Sequence, residues 1–196
     1  MNVQNYSVGD DHTVQEELLH HPEIPKEKPK SGGKTPLHIQ IVPAYNHPHT
    51  VKTLFSEYTD MLTAGDPSIQ KYLAVQHYDE ELNHLEAKYG MPDGRLYLAY
   101  YNEEPAGCIG LRKIDGRNCE VKRLYVRPAF RGKNIGSLLM KKIMADAKEI
   151  GYSCILLDTL PFLQNAIHMY HKFGFYETVR YNDSTMDTSI YMKLDL

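Results

Sequence analysis

The segment between residues 119 and 136, CEVKRLYVRPAFRGKNIG, is the feature that most constrains the fold of this chain. It begins with β-branched and apolar residues that predict a strand, and Pro128 marks the end of that strand. The residues RGKNIG then lead into SLLMKKIMADAKEIG, in which apolar residues recur at helical spacing. The sequence therefore predicts a strand that passes through a tight turn into the N-terminus of a helix.

The predicted turn has the properties of an anion-binding site. The first amides of a helix have no partner within the helix, and small residues let a ligand approach them closely. Two cationic side chains, Arg131 and Lys133, lie in the same turn, so the turn favours a phosphate or pyrophosphate. Other phosphate motifs do not fit, since GxGxxG is absent and SGGKT at 31–35 has Lys28 where a P-loop needs its first glycine.

At these residues the chain resembles the GNAT superfamily of acetyl-coenzyme A (acetyl-CoA) dependent N-acetyltransferases, in its small, single-domain, bacterial-type form. The signature of that superfamily is Arg or Gln, two residues, Gly, one residue, then Gly or Ala. Arg131 and Gly136 match it, and Asn134 replaces the middle glycine. Because Asn tolerates left-handed backbone, we expect the turn to keep its geometry. Glu120 in the preceding strand and Tyr170 in NAIHMYHKFGF also match the superfamily.

The order of predicted elements agrees with the α/β (α+β) GNAT fold that the resemblance implies. That fold has a mixed, mostly antiparallel sheet of about seven strands flanked by four helices, in the order β-α-α-β-β-β-α-β-α-β-β. Hydrophobic period and turn residues predict the boundaries of these elements. Strands are expected at 37–42, 95–101, 106–114, 119–126, 154–158, 175–179 and 189–196, and helices at 49–62, 68–89 with a break near 77–79, 137–150 and 163–173.

Residues 1–36 are predicted to be an N-terminal tail or linker, and residues 37–196 to be the GNAT domain. HPEIPKEKPKSGG contains three prolines, alternating charges and two glycines, which is typical of an extended linker. We expect a solvated tail. The alternative is an arm that docks on a partner or on the second subunit of a homodimer.

Composition excludes several classes of function. A net charge of -3 gives no basic field, so we expect no nucleic-acid partner. No apolar run approaches about 18 residues and no secretory leader is evident, so we expect no membrane partner and a cytoplasmic location. Cys108, Cys119 and Cys154 lie in apolar runs and are expected to be reduced core thiols. The ten histidines form no HExxH or similar spacing, so no metal is expected.

The resemblance implies that acetyl-CoA is the co-substrate and that its pantetheine arm pairs with the backbone of Leu124 and Val126 as a further strand would. The amide of Leu124 would polarise the thioester carbonyl. The implied cofactor-binding residues are Leu124, Tyr125, Val126, Arg131, Gly132, Lys133, Asn134, Ile135, Gly136, Ser137, Asn165 and Tyr170.

Acyl transfer to an amine needs one group that removes a proton from the ammonium and one that protonates the departing thiolate. The resemblance assigns Glu120 as the base, directly or through a water, and Tyr170 as the acid. Glu120 could instead pair with Lys122, Arg112 or Lys113 on an exposed strand face. Tyr170 could instead be a core aromatic residue.

The predicted function is transfer of an acetyl group from acetyl-CoA to a primary amine of a small molecule or peptide, through a ternary complex. The alternatives are a non-catalytic acyl-CoA binding module and a protein acetyltransferase acting on Lys or N-termini. No motif identifies the acceptor, whose pocket the resemblance places at about 49–78 and 181–188. Side chains that could contribute there are Asp183, Asp187, Tyr58, Tyr72, Tyr78, Tyr97 and Tyr101.

Overall fold

The computed structural model describes residues 39–75, 78–182 and 186–196. The predicted tail, residues 1–36, lies outside the described residues, as do the first two residues of the predicted domain. Within the described ranges, no helix is long and apolar enough to cross a bilayer.

Seven strands in the described part of the chain form one sheet in the order β1-β2-β3-β4-β5-β7-β6. Neighbouring strands are antiparallel except β4 and β5, which are parallel because α5 carries the chain back between them. This confirms the predicted mixed, mostly antiparallel sheet. The strands are β1 Ile39–Pro43, β2 Arg95–Tyr101, β3 Glu104–Lys113, β4 Asn118–Val126, β5 Cys154–Thr159, β6 Tyr176–Glu177 and β7 Ile190–Asp195.

The described residues contain six α-helices, where four were predicted. The difference lies in the second predicted helical stretch, which the structure divides into three short helices. His84 has non-helical angles of φ -132° and ψ 52°, and it separates the last two of them. The helices are α1 Pro48–Gly65, α2 Ile69–Val75, α3 Tyr78–Asn83, α4 Leu85–Tyr89, α5 Ile135–Ile150 and α6 Gln164–Lys172.

Several turns form where the sequence predicts them. Asp115 closes the β3–β4 turn by accepting hydrogen bonds from the amides of Arg117 and Asn118 at 2.7 and 2.8 Å. Gly151 and Gly174 end α5 and α6 with φ of 98° and 90°, in the left-handed region that glycine enters at no steric cost. The strand predicted at 175–179 is shorter than expected, since β6 has two residues and both are exposed.

The sheet separates two apolar clusters. On one face α5 packs against the central strands, and on the other face α1 and α4 do so. The three cysteines are buried and free, as predicted, and burial raises the pKa of the Cys119 thiol to about 12. Fully buried residues of the first cluster include Ile109, Leu111, Leu139, Met140 and Ile143, and those of the second include Val51, Leu54, Phe55, Leu96 and Leu98.

The parallel pair β4–β5 is short, and this creates an opening in the sheet. The two strands pair from Asn118–Glu120 to Cys154–Leu156 and no further. Beyond this point β4 continues to Val126 and β5 to Thr159, with no registered pairing between them. The backbone edge of β4 that faces β5 is therefore available beyond Glu120.

Candidate active site

The turn after β4 has the geometry of an anion cradle. Gly132 and Asn134 both have left-handed backbone, with φ of 79° and 64°. Asn134 thus takes the conformation expected when it replaces a glycine of the signature. Its side chain makes no capping hydrogen bond, so the first amides of α5 are not capped by it. These amides point out of the helix end toward the turn.

Cationic side chains surround this turn. The Arg131 guanidinium donates a hydrogen bond to the Val126 carbonyl at 3.1 Å, and Lys133 Nζ lies 4.7 Å from the centre of the Tyr101 ring. Both side chains are exposed. Arg127, just before the turn, donates two hydrogen bonds to Glu57 of α1 at 2.8 and 2.7 Å. The end of β4 is therefore fixed against α1 while the cations of the turn face solvent.

The other residues implied in cofactor binding fall into two groups. Leu124 and Val126 are half-buried on the part of β4 that β5 does not pair with. Tyr125 between them is buried on the α1 side, with its ring 5.8 Å from the ring of Tyr58. At the helix end, Ile135 is buried, Gly136 and Ser137 are half-buried, and Asn165 is exposed in the first turn of α6.

Glu120 lies at the last paired position of β4 and is fully buried, with 0% of its surface exposed. It forms a short ion pair with Arg112, its register partner on β3. The Tyr181 hydroxyl donates to Glu120 Oε1 at 2.8 Å, and Lys122 Nζ lies 3.4 Å from the same oxygen. Glu120 therefore does pair with Arg112 and Lys122, as the alternative interpretation expected, but at a buried position of the strand rather than on an exposed face.

A cavity begins where β4 and β5 separate. Inside it Lys122 Nζ donates to Asp158 Oδ1 at 2.8 Å, so Lys122 lies between Asp158 and Glu120. The sequence analysis missed Asp158. The feature that could have identified it is its position near the C-terminal end of β5, which is parallel to β4. The cavity is lined by Tyr58, Leu62, Ile69, Leu73, Val121, Lys122, Arg123, Asp158, Thr159, Leu160, Leu163 and Ser189.

A second buried ion pair lies beside the cavity and was also missed. Arg123, at a β-bulge of β4 with φ 58°, donates to both carboxylate oxygens of Glu81 at 2.8 and 2.9 Å. Lys88 and the Tyr89 hydroxyl also bind Glu81. Burial acts to raise the pKa of Glu81, but Arg123 and Lys88 outweigh it and lower that pKa to about 2. The pair joins α3 to the strand that carries the site.

Tyr170 is buried on α6, with 6% of its surface exposed and its ring 5.8 Å from that of Phe175. Burial raises the pKa of its phenol, and the nearby Tyr58 and Asp158 raise it further. Among the described residues, none forms a hydrogen bond with its hydroxyl. Tyr170 is thus both a core aromatic residue and a protonated group near the cavity residues Tyr58 and Asp158.

Few of the other residues suggested for an acceptor pocket lie at the cavity. Tyr58 lines it, and Tyr78 lies under Arg123 with 5.0 Å between ring centre and guanidinium carbon. Tyr97 and Tyr101 instead pack in the cluster on the α5 face of the sheet. Asp187 is exposed, and Asp183 lies outside the described residues.

Comparison with known proteins identifies the family. Residues 53–175 match the model of the acetyltransferase (GNAT) family. An uncharacterised N-acetyltransferase of Dictyostelium discoideum is 32% identical over 221 residues, covering 81% of this chain and 99% of that protein. An uncharacterised N-acetyltransferase of Schizosaccharomyces pombe is 39% identical over 126 residues, covering 63% of this chain and 77% of that protein.

Solved structures agree with this. An acetyltransferase from Streptococcus agalactiae superposes with a TM-score of 0.66 at 22% identity, over 81% of this chain and 98% of that one. A GNAT family acetyltransferase from Elizabethkingia anophelis, solved with acetyl-CoA bound, gives a TM-score of 0.52 at 25% identity, over 81% and 98%. The family match, the relatives and the fold together show that this chain belongs to the GNAT acetyltransferase family and is an acyltransferase enzyme.

Proposed function

We propose that this protein transfers an acetyl group from acetyl-CoA directly to a primary amine of a small molecule or peptide, in a ternary complex. The observation that carries this proposal is the part of β4 that β5 leaves unpaired, which runs from the cavity residue Lys122 to Val126, shortly before the anion cradle. A thioester lying along this part of β4 would meet an amine held in the cavity.

The residues present fit acetyl-CoA. The uncapped amides at the start of α5, with Arg131 and Lys133 beside them, suit the pyrophosphate. The edge of β4 that β5 does not pair with suits the pantetheine arm at Leu124 and at the Val126 amide, while the Val126 carbonyl accepts a hydrogen bond from Arg131 in this structure. Acetyl-CoA bound to the Elizabethkingia relative supports the same co-substrate here. When bound, the thioester supplies the activated acetyl group.

The proposed role of the Leu124 amide is to donate a hydrogen bond to the thioester carbonyl oxygen, where negative charge develops during attack. This role needs the local backbone to be rigid. Arg123, at the β-bulge, directly precedes Leu124. The Arg123 side chain is held by Glu81 through two hydrogen bonds of 2.8 and 2.9 Å. The chain therefore fixes the residue before the proposed oxyanion donor.

Glu120 is the proposed base. It does not line the cavity, because its carboxylate is fully buried behind Lys122. A proton from the acceptor would therefore reach it through a water molecule or through a neighbouring hydroxyl. The Tyr181 hydroxyl, 2.8 Å from Glu120 Oε1, is suited to that relay because a phenol can donate one proton while it accepts another.

Tyr170 is the proposed acid. Its raised pKa keeps the phenol protonated at neutral pH, and no hydrogen bond to any described residue competes for its proton. Donation to the sulfur would let coenzyme A leave as a thiol rather than as a thiolate. Asn165, exposed five residues earlier on the same helix, is a proposed polar contact for the cofactor.

The test is a thiol-release assay with purified protein and acetyl-CoA across alkylamines, amino acids, polyamines and short peptides. We expect saturable, acceptor-dependent release of coenzyme A and an acetylated product detectable by mass spectrometry. Binding of coenzyme A without acetylation of any acceptor class would contradict the proposal.

A further inference from the structure

Asp158 has a distinct place in the cavity. Among the described residues that line the cavity, three are charged, namely Lys122, Arg123 and Asp158. Arg123 is committed to Glu81 by two hydrogen bonds of 2.8 and 2.9 Å. Asp158 is the single carboxylate in that lining, because Glu120 is buried behind Lys122 and does not line the cavity. Asp158 is therefore the carboxylate that a cationic group in the cavity can contact.

The chain itself shows that a primary ammonium is accommodated at this point. Lys122 Nζ lies 2.8 Å from Asp158 Oδ1 and 3.4 Å from Glu120 Oε1. Both partners of the Lys122–Asp158 pair are largely buried, with side-chain exposures of 8% and 9%. Because Glu120 is already within reach, Lys122 can strengthen its contact with Glu120 when a second ammonium approaches Asp158.

Five leucine and isoleucine side chains form one part of the remaining cavity wall, beside the polar groups of Tyr58, Thr159 and Ser189. Leu62 of α1 and Ile69 and Leu73 of α2 belong to one apolar cluster. Leu160 and Leu163, between β5 and α6, complete it on the other side. A ligand that packs against these leucine and isoleucine side chains would carry an apolar body next to its charged nitrogen.

We propose that Asp158 binds the ammonium of the acceptor before transfer, and that the preferred acceptors are primary alkylamines with an aliphatic body. This inference rests on the proposed function. Asp158 orients the nitrogen and holds it at the open end of β4, while proton removal stays with Glu120. Lys122 serves as the movable counter-ion that passes between the two carboxylates.

The experiment compares two acceptors of the same length and shape. Hexylamine is charged at neutral pH, whereas O-pentylhydroxylamine has an oxygen in place of one methylene and is uncharged there. Asp158→Asn should raise KM for hexylamine at least about tenfold, the usual scale of a lost charge-assisted hydrogen bond. KM for O-pentylhydroxylamine should change less than about threefold, and KM for acetyl-CoA should not change. Asp60→Asn, which removes an exposed carboxylate of α1, is the matched control.

Two further variants control for an effect of misfolding. Asp158→Glu keeps the charge and should retain the preference for hexylamine. If Asp158→Asn alone is unstable because Lys122 loses a partner, the double variant Asp158→Asn with Lys122→Met removes both charges and should show the same loss of preference. Equal losses for both acceptors, or no loss for either, would overturn the assignment of Asp158.

Calorimetric titration of hexylamine into protein saturated with coenzyme A separates this inference from the proposed function. Binding that depends on Asp158 without turnover would support the inference and contradict the function. Turnover of hexylamine that does not depend on Asp158 would support the proposed function and contradict the inference. Absence of both hexylamine binding and hexylamine turnover in the unmodified protein would overturn the proposed acceptor class.

Discussion

Glu120 combines complete burial with three surrounding donors, and this determines what its replacement should do. Glu120→Gln keeps the volume and can still accept hydrogen bonds, but it cannot take up a proton at neutral pH. We expect kcat to fall by about 10²- to 10⁴-fold, the range for a lost general base, with the Kd for coenzyme A unchanged. Glu104→Gln, at an exposed position of β3, is the control. A small loss that does not vary with pH would reassign Glu120 to structure.

Tyr170 can be tested with a change that leaves the core intact. Tyr170→Phe keeps the ring against Phe175 and removes only a hydroxyl that has no hydrogen-bond partner among the described residues. Stability should therefore barely change, while kcat falls at least about tenfold because the thiolate leaves unprotonated. Tyr97→Phe, buried elsewhere in the same cluster, is the control for removal of a core hydroxyl. Unaltered kcat would leave Tyr170 a packing residue.

The link between α3 and β4 should make stability depend on pH. The pKa of Glu81 is lowered from 4.5 to about 2, so its contribution is complete above about pH 4.5 and disappears as the pH falls toward 2. Because one pH unit is worth about 1.4 kcal/mol, this lowering corresponds to roughly 3 kcal/mol at neutral pH.

Glu81→Gln should therefore lower the free energy of unfolding at pH 7 and leave a progressively smaller difference from the unmodified protein between pH 4.5 and pH 2. Urea titrations across this range measure it. Glu86→Gln, exposed on α4, should leave the pH profile unchanged. A difference that stays constant at every pH would mean that the carboxylate charge of Glu81 contributes no stability.

The N-terminus of α5 offers a test of cofactor binding. A Cβ at Gly136 would lie 3.6 Å from Met169 Sδ and 3.8 Å from Val126 Cγ2, so the fold can accept a larger side chain there. Gly136→Val would place its methyl groups beside the uncapped amides, where the pyrophosphate is proposed to bind. Coenzyme A should raise the Tm of the unmodified protein by mass action but not that of this variant.

Gly116→Val is the matched control, because a Cβ at Gly116 meets nothing within 4 Å in the β3–β4 turn. Its Tm should respond to coenzyme A as the unmodified protein does. A normal response of a folded Gly136→Val variant would move the pyrophosphate site away from α5.

Elements with strong local signals were predictable, and elements that depend on distant contacts were not. β2 was predicted with its observed bounds, and Gly151 and Gly174 end helices as expected, because alternation and left-handed turns are encoded locally. The division of residues 69–89 into three helices was only partly anticipated. There Glu81 binds Arg123 of β4, 42 residues away, and the Tyr89 hydroxyl donates to the same carboxylate, which no local pattern reveals.

At the scale of the whole molecule, the same limit applies to the prediction of the active site. The strand, turn and helix from Glu120 to Gly136 could be predicted because they are continuous in sequence. The pairs Lys122–Asp158 and Arg123–Glu81 join residues 36 and 42 positions apart, and they form only when the sheet is assembled. Burial of Glu120 was likewise hidden, since it depends on the layers that cover its strand.

Because the junction between β4 and β5 is short, we expect the two sides of the sheet to unfold as separate cooperative units. Hydrogen exchange in the native state should therefore show the amides of β5 and β7 opening together at a lower denaturant concentration than those of β2 and β3. A bound pantetheine arm would span the junction and should bring the two sets of exchange rates together. Identical exchange of both sets without ligand would show instead that the apolar clusters alone couple the halves. The bound co-substrate would then take the position of a strand between the two sides of the sheet and would make their unfolding cooperative.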